Sequence, residues 1–186
     1  MYFTCDFHYR SNFNCFKIIC GYLTALQLPN TILLSCDVFH HLFKNARSPY
    51  LDRYKQLHAY NFIVGPHIIN NNHWLAVIID LTKFRFILLD PLKLVSPKLE
   101  ETFNSWLIYY KSRTDCKADK WNDKSLDESS RPIQTDGYNC SIFVINFIKS
   151  YCLQDTLEFP YSEFDLMSDR QAFADTIKEY ACNVKQ

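Results

Sequence analysis

The sequence predicts an α+β domain: a central mixed or antiparallel sheet packed by helices, with a cysteine at the N-terminus of a buried helix. Three observations carry this. Two β-rich runs, His73–Ile79 and Phe84–Asp90, are apolar on both faces, so layers must cover both sides of the sheet they build. Segments with helical spacing of apolar residues lie before and after them. The stretch from Cys140 to about Cys152 is apolar nearly all round, which places a helix centrally.

At 186 residues the chain fits one domain, residues 1–186, and needs no second core. Its 48% hydrophobic content, with fifteen Phe and twelve Tyr, is globular rather than disordered. Net charge is zero and Lys and Arg form no run, so direct nucleic-acid binding is not expected. No apolar run approaches the ~20 residues of a membrane span, and no membrane partner is expected. The eight cysteines form no CxxC pair and no Cys/His spacing typical of zinc. Without a secretory leader pattern, reduced thiols in the nucleus or cytoplasm are expected.

In chain order, residues 1–12 lack periodicity, consistent with a start inside a larger protein. Phe13–Leu28 carries Phe13, Phe16, Ile19, Leu23 and Leu26 at helical spacing and stops before Pro29. Thr31–Lys44 is expected as a second, shorter helix, with the His40-His41 pair at its surface. Tyr60–Val64 is expected as a strand ended by Gly65-Pro66.

The runs 73–79 and 84–90, separated by Asp80-Leu81-Thr82-Lys83, predict a hairpin. A turn centred between Leu81 and Thr82 pairs Ile79 with Phe84, Val77 with Phe86 and Leu75 with Leu88, and sets His73 opposite Asp90. Directly opposed Cβ atoms lie roughly 4.5–5.5 Å apart, so the carboxylate would hold one imidazole nitrogen and leave the other free. A one-residue slip would put the two on opposite faces. The pair alone also fits a sheet-edge contact made for stability.

From Ser96-Pro97 to Lys111, the residues Leu99, Phe103, Trp106, Leu107 and Tyr110 recur at three and four residues, predicting a helix facing a core. Residues 112–131 are expected as a charged, solvated loop, with a short strand ending near Pro132-Ile133. The tail 155–164 is expected to be irregular, and Ser168 with Gln171 reads as a capping box opening a last helix to about Cys182.

Chemistry concentrates in Gln134-Thr135-Asp136-Gly137-Tyr138-Asn139-Cys140-Ser141. Asn139 suits a helix N-cap and Gly137 a turn, so a tight loop would deliver Cys140 into the first helical turn. A thiol there is acidified by unpaired backbone N–H groups and the helix dipole, and the thiolate is the nucleophile. Gln134 could present its amide beside the sulfur, as an oxyanion hole for acyl transfer requires. Taken alone, Cys140 reads more readily as a small hydrophobe opening a core helix.

His73-Trp74, then Leu88-Leu89-Asp90-Pro91-Leu92, then Gln134 and Cys140, in that order, resemble the ubiquitin-like-protein-specific cysteine proteases, the SUMO and Nedd-type processing enzymes related to the adenoviral protease. The resemblance runs from about Tyr60 to Tyr151 and implies a papain-like architecture. It implies His73 as general base, Asp90 as its orienter, Gln134 as oxyanion donor and Cys140 as nucleophile. On the substrate side it implies Trp74 as an aromatic lid over a groove for a Gly-Gly tail, with Gly137 beside it. Three departures stand out. Asn139 replaces the usual Asp, Ser141 replaces the Gly after the nucleophile, and the N-terminal Trp-Leu-x-Asp helix start is missing unless Tyr2-Phe3 stands in for it.

The activity implied is cleavage after the C-terminal glycine of a ubiquitin-like modifier, SUMO foremost, by a monomer that requires no metal or cofactor. Two alternatives stay open: a related Cys-dependent acetyltransferase, and a catalytically impaired modifier-binding domain of mobile-element origin.

Overall fold

The computed structural model describes residues 19–70, 72–93, 99–114, 121–123 and 131–183. Its centre is a mixed five-stranded sheet in the order β1 (Thr31–Leu33), β2 (Phe62–Ile69), β3 (His73–Asp80), β4 (Arg85–Leu89), β5 (Asn122–Asp123). The middle three strands pair antiparallel, and β1 and β5 pair parallel to their neighbours.

Helices cover both faces, as the doubly apolar hairpin requires. On one face Val64, Ala76, Ile78, Ile87 and Leu89 meet α1 (helical at 19–25), α4 (Cys140–Gln154) and α5 (Glu163–Asn183). On the other Ile63, Leu75, Val77, Ile79, Phe86 and Leu88 meet α2 (Cys36–Asn45) and α3 (Leu99–Arg113). Fully burying a side chain of this size contributes about 1.5–3 kcal/mol, so the two cores supply most of the cohesion. Ten residues of α4 are buried, around all sides of the helix.

Several local expectations are corrected. Thr31–Leu33 is strand rather than helix: the β-branched pair Thr31-Ile32 joins β2, and helix begins only after Ser35, whose Oγ accepts from the Val38 N–H at 3.4 Å. Strand β2 does not stop at Gly65-Pro66 but runs on to Ile69 along β3. β1 releases it at Val64, so from Gly65 onward that side is an edge, where a proline's missing N–H is tolerated. Gly65 sits where the chains cross closely: a Cβ there would lie 2.1 Å from the Leu34 carbonyl oxygen.

The hairpin loop is longer than expected. Asp80 pairs with Arg85 and Ala76 with Leu89, leaving Leu81–Phe84 as the loop, with Phe84 left-handed at φ 53°. The cause is Asp80. Fully buried, its Oδ1 accepts from the Thr82 N–H, the Thr82 hydroxyl and the Lys83 N–H at 2.7–2.9 Å, and its Oδ2 accepts from the Tyr151 hydroxyl of α4 at 3.0 Å. This shifts the register by two residues, which preserves the faces.

Arg131 is buried, not part of a solvated loop, and the short strand lies at 122–123, where Trp121 packs edge-on against Phe84, Trp106 and Tyr110. The last helix starts at Glu163: Ser162 and Asp165, rather than Ser168 and Gln171, form the capping box, with the Asp165 N–H on Ser162 Oγ and the Ser162 N–H on Asp165 Oδ2. Tyr2-Phe3 and the 13–18 part of the first predicted helix lie outside the described residues.

Gly65→Ala is expected to cost roughly 3 kcal/mol by forcing β1 from β2. An unchanged urea midpoint would show that the chains do not cross so closely.

Candidate active site

His73 opens β3, Asp90 follows the last residue of β4, and Cys140 opens α4, so the three arrive at one end of the sheet from separate elements. The register shift places Asp90 diagonal to His73, on the same face, within reach of a long side chain. His73 Nε2 donates to Asp90 Oδ1 at 2.6 Å, with the two side chains 13% and 7% exposed. Cys140 lies beside the imidazole as well, near enough for its sulfur to help raise the His73 pKa. With Nε2 committed to the carboxylate, Nδ1 is the ring nitrogen left for the sulfur.

Burial presses the His73 imidazolium toward the neutral form, but its hydrogen bonds and charge interactions with Asp90 and Cys140 outweigh this and push its pKa up to about 9. Cys140 itself is 8% exposed, enough for access from one side.

Asp90 is fixed from two further directions, and the turn after it from a third. Its Oδ1 also accepts from the Leu92 N–H at 2.8 Å, closing the turn after β4. Its carbonyl accepts from Arg131 Nη1 at 2.7 Å, and Arg131 lies over the Phe147 ring of α4 at 5.7 Å. The Gln134 N–H donates to the Pro91 carbonyl at 2.8 Å, stapling the nucleophile loop to the Asp90 turn.

The loop before Cys140 is organised differently from the simple N-cap expected. Asn139 holds the N-cap position, its carbonyl accepting from the Ile142 and Phe143 N–H groups, but its side chain makes no cap. Asp136 does the shaping. Its Oδ1 accepts from the Tyr138 and Asn139 N–H groups at 2.8 Å, and its Oδ2 from Asn139 Nδ2 at 2.7 Å. Burial would raise the Asp136 pKa, yet these donors hold it below the usual carboxylate range. Gln134 is buried, its Nε2 donating to the Asp136 carbonyl at 2.7 Å and to Asp136 Oδ1 at 3.1 Å.

On the substrate side, Trp74 is 3% exposed and belongs to the same apolar cluster as Cys140. Gly137 has open space where a Cβ would go, so nothing inside the chain requires glycine there.

Sequence reasoning missed Arg131, Asp136 and Arg170. Asp136 carries a signal, an Asp two and three residues before the N–H groups it accepts, with a glycine between. Arg131 and Arg170 carry none.

A cysteine at the start of a buried helix, beside an imidazole that holds a carboxylate, defines a cysteine-dependent hydrolase site. Residues 41–184 match the Ulp1 protease family, C-terminal catalytic domain, and the chain belongs to that family of cysteine peptidases. Among solved structures it is similar to the SUMO protease Ulp1 with its catalytic cysteine oxidised to a sulfonic acid, at TM-score 0.75 and 22% identity over 90% of this chain and 77% of that one. It is similar also to the C-terminal Ulp1 protease domain in complex with Smt3, the yeast ortholog of SUMO, at TM-score 0.73 and 22% identity over 88% and 74%. The Xanthomonas campestris effector XopD bound to ubiquitin matches at TM-score 0.53 and 16% identity over 87% and 88%. No curated protein sequence matches the chain.

The raised His73 pKa has a definite sign. The stabilisation it brings is complete below about pH 6.5, the ordinary histidine value, and is lost as pH rises through about 9. Imidazole resonances are expected to titrate near 9 in the wild type and at lower pH in Asp90→Asn; a His73 midpoint near the ordinary value in the wild type would break the assigned contacts.

Proposed function

We propose that the chain hydrolyses the peptide or isopeptide bond after the C-terminal glycine of a ubiquitin-like modifier, with SUMO as the favoured modifier. The observation that carries this is the single imidazole bonded to Asp90 and interacting with Cys140. The named relatives lend support: a SUMO protease, a complex with Smt3, and a complex with ubiquitin.

Cys140 attacks the glycine carbonyl carbon with its proton already held by His73, whose raised pKa keeps it protonated at neutral pH, and Asp90 keeps the imidazole oriented. The oxyanion is met by the Cys140 N–H and one hydrogen of the Gln134 amide. His73 then gives its proton to the leaving amine. A water attacks the thioester with His73 as base, releasing the modifier's carboxylate and restoring the thiol. Glycine selectivity follows from Trp74 and the Ser141 side chain crowding the acyl site, and Gly137 offers its open side to the incoming tail. The described cysteines are all free thiols, in keeping with a monomer acting in the reducing nucleus or cytoplasm.

The test is a panel of modifiers with electrophilic C-termini, SUMO, Nedd-type and ubiquitin among them. Attachment is expected at Cys140, with SUMO fastest. Cys140→Ala is expected to abolish cleavage while retaining binding, and Gln134→Ala to lower kcat by roughly 10²–10³. Acetyl-CoA labelling of Cys140 with no modifier attached would instead identify an acyltransferase, and turnover by Cys140→Ala would remove the nucleophile assignment.

A further inference from the structure

Helix α5 reaches into the nucleophile loop from the far side of α4. Arg170 Nη2 donates to Asn139 Oδ1 at 2.6 Å, and its guanidinium lies over the Tyr138 ring at 5.4 Å. One residue earlier, Asp169 Oδ2 accepts from the buried Asn146 Nδ2 of α4 at 2.6 Å. The polar chain therefore runs from Arg170 to Asn139, from Asn139 to Asp136, and from Asp136 to Gln134. Every link has a defined direction: Arg170 only donates, the Asn139 amide accepts with Oδ1 and donates with Nδ2, and the Asp136 carboxylate only accepts.

We propose that Asp136 and Arg170 are positioning residues for acyl transfer, Asp136 by holding the Gln134 amide and the turn that presents Cys140, Arg170 by locking that turn through Asn139. Both acceptors of Gln134 Nε2 belong to Asp136, so Asp136 alone sets the orientation of that amide. This inference rests on the hydrolase reading above and adds the loop chemistry that supports it.

The directionality makes the network testable by exchange. Asn139→Asp alone sets a second carboxylate against Asp136. Asp136→Asn alone leaves an amide facing an amide, and whichever way the Asn139 side chain turns, an N–H meets an N–H, either at position 136 or at Arg170. The double exchange restores a donor opposite every acceptor: the new amide at position 136 keeps accepting the backbone N–H groups of positions 138 and 139 and donates to the new carboxylate at position 139, which accepts from Arg170.

The experiment measures kcat and KM with a fluorogenic SUMO substrate, the alkylation rate of Cys140 by iodoacetamide, and thermal stability. The proteins are the wild type, both single exchanges, the double exchange and Arg170→Ala. The single exchanges and Arg170→Ala are expected to lower kcat roughly tenfold, on the scale of a small misplacement of reacting groups, with KM within about twofold. Alkylation is expected to slow in the single exchanges, and the double exchange to recover most of both rates. Single exchanges with wild-type rates, a double exchange no better than the worse single, or losses that track only the fraction folded would overturn the proposal. Should the wild type turn over no modifier, the hydrolase reading fails while the alkylation series still decides whether the turn presents Cys140 as proposed. Should a single exchange fail to fold, Arg170→Ala, which alters an exposed residue, carries the comparison.

Discussion

The imidazole of His73, shared between a carboxylate and a sulfur, is the contact on which the rest of the structure depends. It joins the start of one strand, the end of the next and the first turn of a helix far along the chain. Each lies at an element terminus, where backbone groups are unsatisfied and the chain is free to turn, so each needs its own anchor. The two apolar cores hold the layers at the right separation, but hydrophobic burial is non-directional and cannot aim a ring nitrogen.

Aiming falls to buried or half-buried charged side chains at the loops. Asp80 fixes the β3–β4 turn and reaches across to Tyr151 on α4, setting the register that leaves Asp90 diagonal to His73. Arg131 holds the Asp90 carbonyl while lying over Phe147, and Asp136 draws the loop around its carboxylate. Removing a partner from a buried charged group costs more than the bond contributes, so these loops are conformationally stiff. Stiffness here is a functional property, since a general base and its nucleophile must be held in reach before substrate arrives.

Much of this was legible in the residues. The doubly apolar hairpin required a covered sheet, and the all-round apolar helix behind Cys140 required a central one; both follow from burial periodicity alone. His73 and Asp90 were correctly set on one face although the turn was misjudged, because a two-residue shift preserves the side-chain period of a strand. What escaped was tertiary. Thr31–Leu33 looked helical because its apolar residues also suit helical spacing, and only pairing with β2 makes it a strand. Arg131 and Arg170 sit in polar stretches where nothing local distinguishes a guanidinium bonded within the fold from a solvated one. The capping box was displaced by six residues because Ser162-Asp165 and Ser168-Gln171 offer nearly the same pattern.

The most direct test of the shared imidazole is the pH profile of Cys140 alkylation, compared between the wild type and His73→Ala. A thiol beside an imidazole that holds its proton is alkylated faster than the same thiol without that partner. The account requires the wild type to be alkylated faster than His73→Ala at neutral pH and to lose that advantage as pH rises through about 9, where His73 gives up its proton. Superimposable profiles would contradict it.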